Sequence, residues 1–158
     1  MINNDYPLFP ELIPSPCFGY NLRSFLKPAE WQSISKYVRE RANGQCEICG
    51  ERTYELEAHE MWEFNDVTHY QRLKDVKAVC PLCHRSFHIG QTKSQNNPEL
   101  LQAVYGHMMK VNNCNERTLE QIIATAEMKW KMRSKYGWTI EVDDELLAEL
   151  LEKGGKHR

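Results

Sequence analysis

No stretch of this 158-residue chain is apolar for long enough to span a bilayer. Neither sign of charge dominates: Lys and Arg number 20 against 22 Asp and Glu, a formal net charge of -2. That balance excludes the globally basic character by which many proteins hold nucleic acid. A polyanionic partner would have to be met by a local patch or by a bound cation. The opening MINNDYPLFPELIPSP lacks both the basic and the apolar regions of a secretory leader, so a cytoplasmic location is expected. Internal repeats and low-complexity tracts are also missing, which argues against repeat architectures. With 41% hydrophobic and 27% charged residues, the composition is that of an ordinary folded domain with attachments.

What the chain does have is cysteine. In a reducing compartment its six cysteines favour metal ligation over disulfides. Cys46–Cys49 and Cys80–Cys83 are both Cys-x-x-Cys pairs, a spacing that lets two sulfurs converge on one tetrahedral ion. Two such pairs complete a closed structural zinc site, with a rubredoxin-type iron centre as the alternative for the same donors. Cys17 and Cys114 are expected to be small buried side chains. The second pair runs directly into His84, with His88 four residues on. On a helix those two histidines share a face, while adjacent Cys83 and His84 point in different directions. One helical turn can therefore face zinc on one side and a second ion on the other. His59, delivered by a strand packed across that helix, is the candidate third ligand.

Residues 1–28 hold prolines at 7, 10, 14, 16 and 28 and read as an extended arm. In this reading Leu8, Phe9, Leu12, Ile13 and Phe18 pack down onto the domain. Pro28 opens a helix with Trp31, Ile34, Val38 and Ala42 at helical spacing, stopped by Asn43-Gly44. CEICG forms a tight knuckle closed by Gly50. TYELEAHEMW (53–62) alternates as a strand, with His59 and Glu60 on opposite sides. A turn at Asn65-Asp66 and a return ending at Val79 follow. A short helix carries His84 and His88 to about Gly90, and QTKSQNN reads as a polar connector. Helices are expected from Pro98 to Asn112 and from about Glu116 to Lys135. A short strand at 138–142 precedes a last helix capped by Asp143 and stopped by Gly154-Gly155. The fold class expected is α+β, divided into an arm (1–28), a metal-binding domain (29–95) and a helical extension (96–158).

The run LEAHEMWEF…THYQRLKDVKAVCPLCHRSFHIG resembles the HNH endonuclease family in its zinc-knuckle variants of bacterial and phage type. Those variants end in Asn-x4-Cys-x2-Cys-His-x3-His; here the run is Asp75-x4-Cys80-x2-Cys83-His84-x3-His88. The resemblance covers residues 44–90 and implies a ββα-metal, treble-clef-like core with structural zinc. It also implies a metal-dependent endonuclease that hydrolyses phosphodiester bonds, in DNA rather than RNA. His59, His84 and His88 would bind a catalytic divalent ion such as Mg2+, Mn2+ or Ni2+. Glu60 would take the general-base place, where the family usually has His, and Asp75 the orienting place, where it usually has Asn. A second register makes His59 the base and leaves Ala58 at the ligand position. The departures at 60 and 75 sustain an alternative: a zinc-stabilised nucleic-acid-binding or interaction module with an inactive site.

Among the basic residues, Arg85, Lys93 and Arg72 (with Lys74) lie nearest this site in sequence and are the candidate phosphate contacts. Lys129, Lys131, Arg133 and Lys135 split between two helix faces and read as a solvated surface. His69, which could enter the site from the far end of the hairpin, is expected instead to be exposed or packed, Trp62 to be in the core, and His107 and His157 carry no assignment.

Overall fold

The structure, a computed structural model, describes residues 5–155. It is a mixed α+β fold: helix α1 (Pro28–Arg41), strands β1 (Glu57–Asn65) and β2 (Tyr70–Val79), helices α2 (Pro81–Phe87), α3 (Ile89–Ser94), α4 (Pro98–Asn112) and α5 (Glu116–Arg133), strand β3 (Thr139–Val142) and helix α6 (Asp144–Gly155). None of the described helices is long and apolar enough to cross a membrane. The sheet order is β1-β2-β3, with β1 and β2 an antiparallel hairpin and β3 parallel to β2. His157 lies outside the described residues.

Three helices begin where sequence chemistry dictates. Pro28, Pro81 and Pro98 each occupy the first turn, where a missing N–H costs nothing. Asn97 and Asn115 accept hydrogen bonds from Leu100 N–H and Thr118 N–H to cap α4 and α5. Asp143 caps α6 by accepting from Leu146 N–H at 3.1 Å. After α1 the chain turns through Asn43 (φ 51°) and Gly44 (φ 76°), the left-handed exit expected there.

β2 puts alternate residues into the core on either side of a bulge, and β1 adds Trp62 to them. Trp62, Leu73, Val76 and Ala78 are buried on the face toward α1, in one hydrophobic cluster with Ile34 and Val38. A bulge lies between Met61 and Trp62: Met61 faces Asp75 and Trp62 faces Leu73, so Lys74 is the extra residue.

Three expectations are corrected here. The first four residues of the segment read as a polar connector belong to α3, because Ile89 and Thr92 are both buried and Thr92 Oγ1 donates to the Arg85 carbonyl at 2.9 Å. Gly154 does not stop α6 but lies inside it, against the backbone of α1 at Ser33 and Ile34. Phe18 does not pack down: it is 76% exposed, because a short turn at Ser15–Cys17 sends Cys17 inward and its neighbour outward.

The arm is woven into the fold. Asn112 holds Leu8 by two bonds, accepting from its N–H at 2.8 Å and donating to its carbonyl at 3.0 Å. Glu11 N–H donates to the Phe87 carbonyl at 2.9 Å. The Trp130 indole donates to the Ile13 carbonyl at 2.9 Å. Leu8 and Phe9 are buried.

Candidate metal centres

Cys46, Cys49, Cys80 and Cys83 bring their sulfurs within 4.8 Å of one another, close enough to hold a metal ion. Each pair is shaped by backbone N–H groups aimed at sulfur. Ile48 and Cys49 donate to Cys46 Sγ, and Cys83 donates to Cys80 Sγ at 3.4 Å. Gly50 permits the first turn by its φ of 78°; no neighbour crowds it, so the constraint is purely conformational. The second turn doubles as the start of α2. Glu47 stitches the two together, its N–H donating to the Ala78 carbonyl and its carboxylate accepting from Ala78 N–H. Hydrogen bonds from Cys80 and Cys83 pull the Cys46 thiol strongly toward its charged form. The same bonds push Cys80 up to about 12 and push Cys83 higher still. Sulfurs this close oppose one another's ionisation at Cys80 and Cys83, so a full set of thiolates calls for a cation, and the donor set suits a tetrahedral thiolate site.

The second cluster includes the residue that follows Cys83 on α2. His59, His84 and His88 place one ring nitrogen each within 4.8 Å of one another. Their ring centroids are 4.9–5.2 Å apart and their planes steeply inclined. His59 reaches the cluster from β1, opposite Lys77, and stacks flat on Phe87 at 4.6 Å. His88 ends α2, where its backbone leaves helical geometry. Burial pushes both His59 and His88 down to about 3, the neighbouring imidazoles adding to the effect. Both are therefore neutral at ordinary pH, with lone pairs free to bind an ion. His84 turns Nδ1 to the Glu57 carboxylate, which leaves Nε2 for the cluster.

The carboxylates near this cluster are distributed differently. Glu60 faces the arm: its Oε1 accepts from Leu22 N–H at 2.7 Å, and burial raises it above the ordinary carboxylate range. Asp75 accepts from Val76 N–H at 2.8 Å and lies in the field of Arg41, with no hydrogen bond or ion pair to the histidines or Glu60. Glu11 of the arm sits closer. Its Oε2 lies 3.2 Å from His59 Nε2, and burial pushes its carboxyl up to about 8 against the pull of Trp62 N–H, His84 and Lys74. Beside it runs a cleft of about 300 Å3 lined by Glu11, Met61, Trp62, Lys74 and Phe87 among others.

Of the basic candidates, Arg72 is paired with Asp143 at 2.9 Å and Lys93 with Glu127 at 2.9 Å. Arg85 donates to the neutral side chain of Gln95 at 3.1 Å. Arg133 forms a two-bond pair with Asp66, and Lys129 lies over the Phe9 ring. His69 stacks on Tyr136 at 4.4 Å.

No family model, curated protein or solved structure matches the chain.

The meaning of the two clusters therefore rests on their own residues, three of which sequence reasoning missed. Glu11 lies in a proline-rich run whose spacing gives no hint of a partner. Exposed Arg23 sends its charge onto both Glu60 and His88, although its position in the arm gave it no motif. His107 puts Nε2 3.1 Å from Cys83 Sγ and 3.9 Å from Cys80 Sγ. It had a signal, since it shares the inward face of α4 with Val104 and Met108.

Proposed function

We propose that the chain is a metal-dependent endonuclease of the HNH type that hydrolyses phosphodiester bonds in DNA. One observation carries the reading: Cys83 and His84, neighbours on one turn of α2, enter two different donor clusters. A thiolate set that locks a helix, beside an imidazole set that the helix and β1 present together, is the arrangement a scaffold zinc and a working ion require. The cysteines would hold the zinc, and His59, His84 and His88 a divalent ion such as Mg2+, Mn2+ or Ni2+. When bound, that ion supplies positive charge against the phosphate oxygens. Three uncharged donors leave that charge available, which offsets the lack of net basic character in the chain.

The remaining work falls to the chain's own groups. Arg23 would hold a non-bridging phosphate oxygen at the edge of the site. Glu60 would accept a proton from the attacking water as its oxygen bonds to phosphorus. The bond to the leaving sugar oxygen breaks, and that oxygen takes a proton from solvent.

A second reading is a zinc-stabilised nucleic-acid-binding module without catalysis. It is favoured by the bond that Leu22 N–H makes to Glu60 and by the bond of Asp75 to Val76 N–H rather than to the histidines or Glu60. Incubation with supercoiled plasmid and Mg2+, Mn2+ or Ni2+ decides between them. Nicking or linearisation is expected, abolished in His84→Ala and Glu60→Ala while one zinc per chain is retained. No cleavage with any of the three metals, together with unchanged DNA binding by His84→Ala, would establish the module instead.

A further inference from the structure

We infer that Glu11, carried by the N-terminal arm, is a positioning residue of the histidine cluster, so that the metal site is assembled from the arm as well as from the hairpin and α2. This rests on reading His59, His84 and His88 as ligands of one ion.

The geometry comes first. Glu11 Oε2 and His59 Nε2 are 3.2 Å apart, both atoms are shut off from solvent, and neither has another hydrogen-bond partner. A carboxyl oxygen and an imidazole nitrogen withdrawn from water without partners are costly to fold around. At that separation a turn of the imidazole would bring a protonated Nε2 onto the carboxyl oxygen. Ion binding at the other ring nitrogen favours that turn, because a ligating imidazole characteristically gives its remaining N–H to a carboxylate. His84 already shows the pattern, with Nδ1 on the Glu57 carboxylate and Nε2 left over. Glu11 gives His59 the same kind of partner.

The arm is held firmly enough for the role. Phe87 accepts from Glu11 N–H at 2.9 Å and stacks its ring on His59, with planes 6° apart. One residue of α2 thus fixes both the backbone of Glu11 and the plane of the imidazole. The set whose donor atoms converge within 4.8 Å consists of the three histidines. Glu11 therefore acts through His59.

The test uses full-length chain with zinc in its cysteine cluster, titrated calorimetrically with Ni2+. Wild type is expected to take up one further ion. Glu11→Gln should bind it roughly 10–100-fold more weakly, with zinc content and thermal midpoint preserved, and Glu11→Asp should recover part of the loss. Asn112→Ala, which loosens the arm at Leu8, should move the thermal midpoint more than the affinity. Equal Ni2+ affinity in wild type and Glu11→Gln would overturn the inference. If wild type takes up no Ni2+, the histidine-cluster reading fails and the inference with it. A measurement without substitution guards against a variant that does not fold. Imidazole 15N NMR of the wild-type chain carrying Zn2+ in both clusters should show His59 protonated at Nε2 and protected from exchange. An unprotonated Nε2 would place the ion there and overturn the positioning role.

Discussion

Gln71 is fully enclosed on β2, and neither atom of its amide has a hydrogen-bond partner. An orphaned buried amide costs about 1–3 kcal/mol, so Gln71→Met, close in volume and without a polar group, should raise stability by about 1 kcal/mol. Urea unfolding checks this, and a loss of stability would mean that the amide is satisfied by water. Asp66 behaves in the opposite way. Its hydrogen bonds from Arg133 hold its carboxyl below the usual range. A depressed carboxylate adds stability that is present above its unfolded value, near 4, and disappears as pH falls through the lower folded value. Asp66 is 57% exposed, so screening limits the pair to at most about 1 kcal/mol. Asp66→Asn should therefore be less stable than wild type at pH 7, and the difference should shrink as pH falls below the ordinary carboxylate range. A difference that persists in acid would assign the effect to packing.

Contacts between whole elements depend on positions with little side chain to show for it. A Cβ on Gly154 would lie 3.1 Å from Ile34 N and from Ser33 C, backbone atoms that cannot move aside. Gly154→Ala should push α6 off α1 and cost about 1–3 kcal/mol. Gly155→Ala meets nothing within 4 Å and should gain up to about 1 kcal/mol from helix propensity. Thermal melts of the two variants should move in opposite directions. Asn112→Ala removes both bonds to Leu8 and strands a buried N–H and carbonyl, at a cost of about 2–4 kcal/mol. These contrasts also show what could be read in advance. Helix starts, the hairpin and both donor clusters are written in local spacing: proline at first turns, period-two burial, Cys-x-x-Cys-His-x3-His. The second short helix was not, because Thr92 is polar by type yet buried by position. Gly154 looked like a terminator because a glycine that ends a helix and one that admits a neighbouring helix are the same letter. Glu11 and Asn112 act across long separations, where periodicity carries no information, while for His107 the period of α4 gave its inward face but not its sulfur partners.

Across the whole molecule, the cysteine cluster joins the first knuckle to the end of β2 and the start of α2. If it holds zinc as proposed, a strong chelator should lower and broaden the thermal transition of the full chain. His84→Ala should leave that transition sharp, since the histidines lie beside the scaffold. Identical melts before and after chelation would deny the ion a structural part. The pairing of Leu8 with Asn112 spans 104 residues, and its consequence concerns time. While the chain is being made, the knuckles and hairpin can form as soon as residue 83 is free, but Leu8 has no partner until α4 has been added. Closing so wide a loop adds little entropy cost beyond a shorter one, yet it cannot happen early. The arm should therefore dock in two stages, Glu11 once Phe87 of α2 is available and Leu8 only after α4, so the cysteine cluster precedes the full seating of the arm.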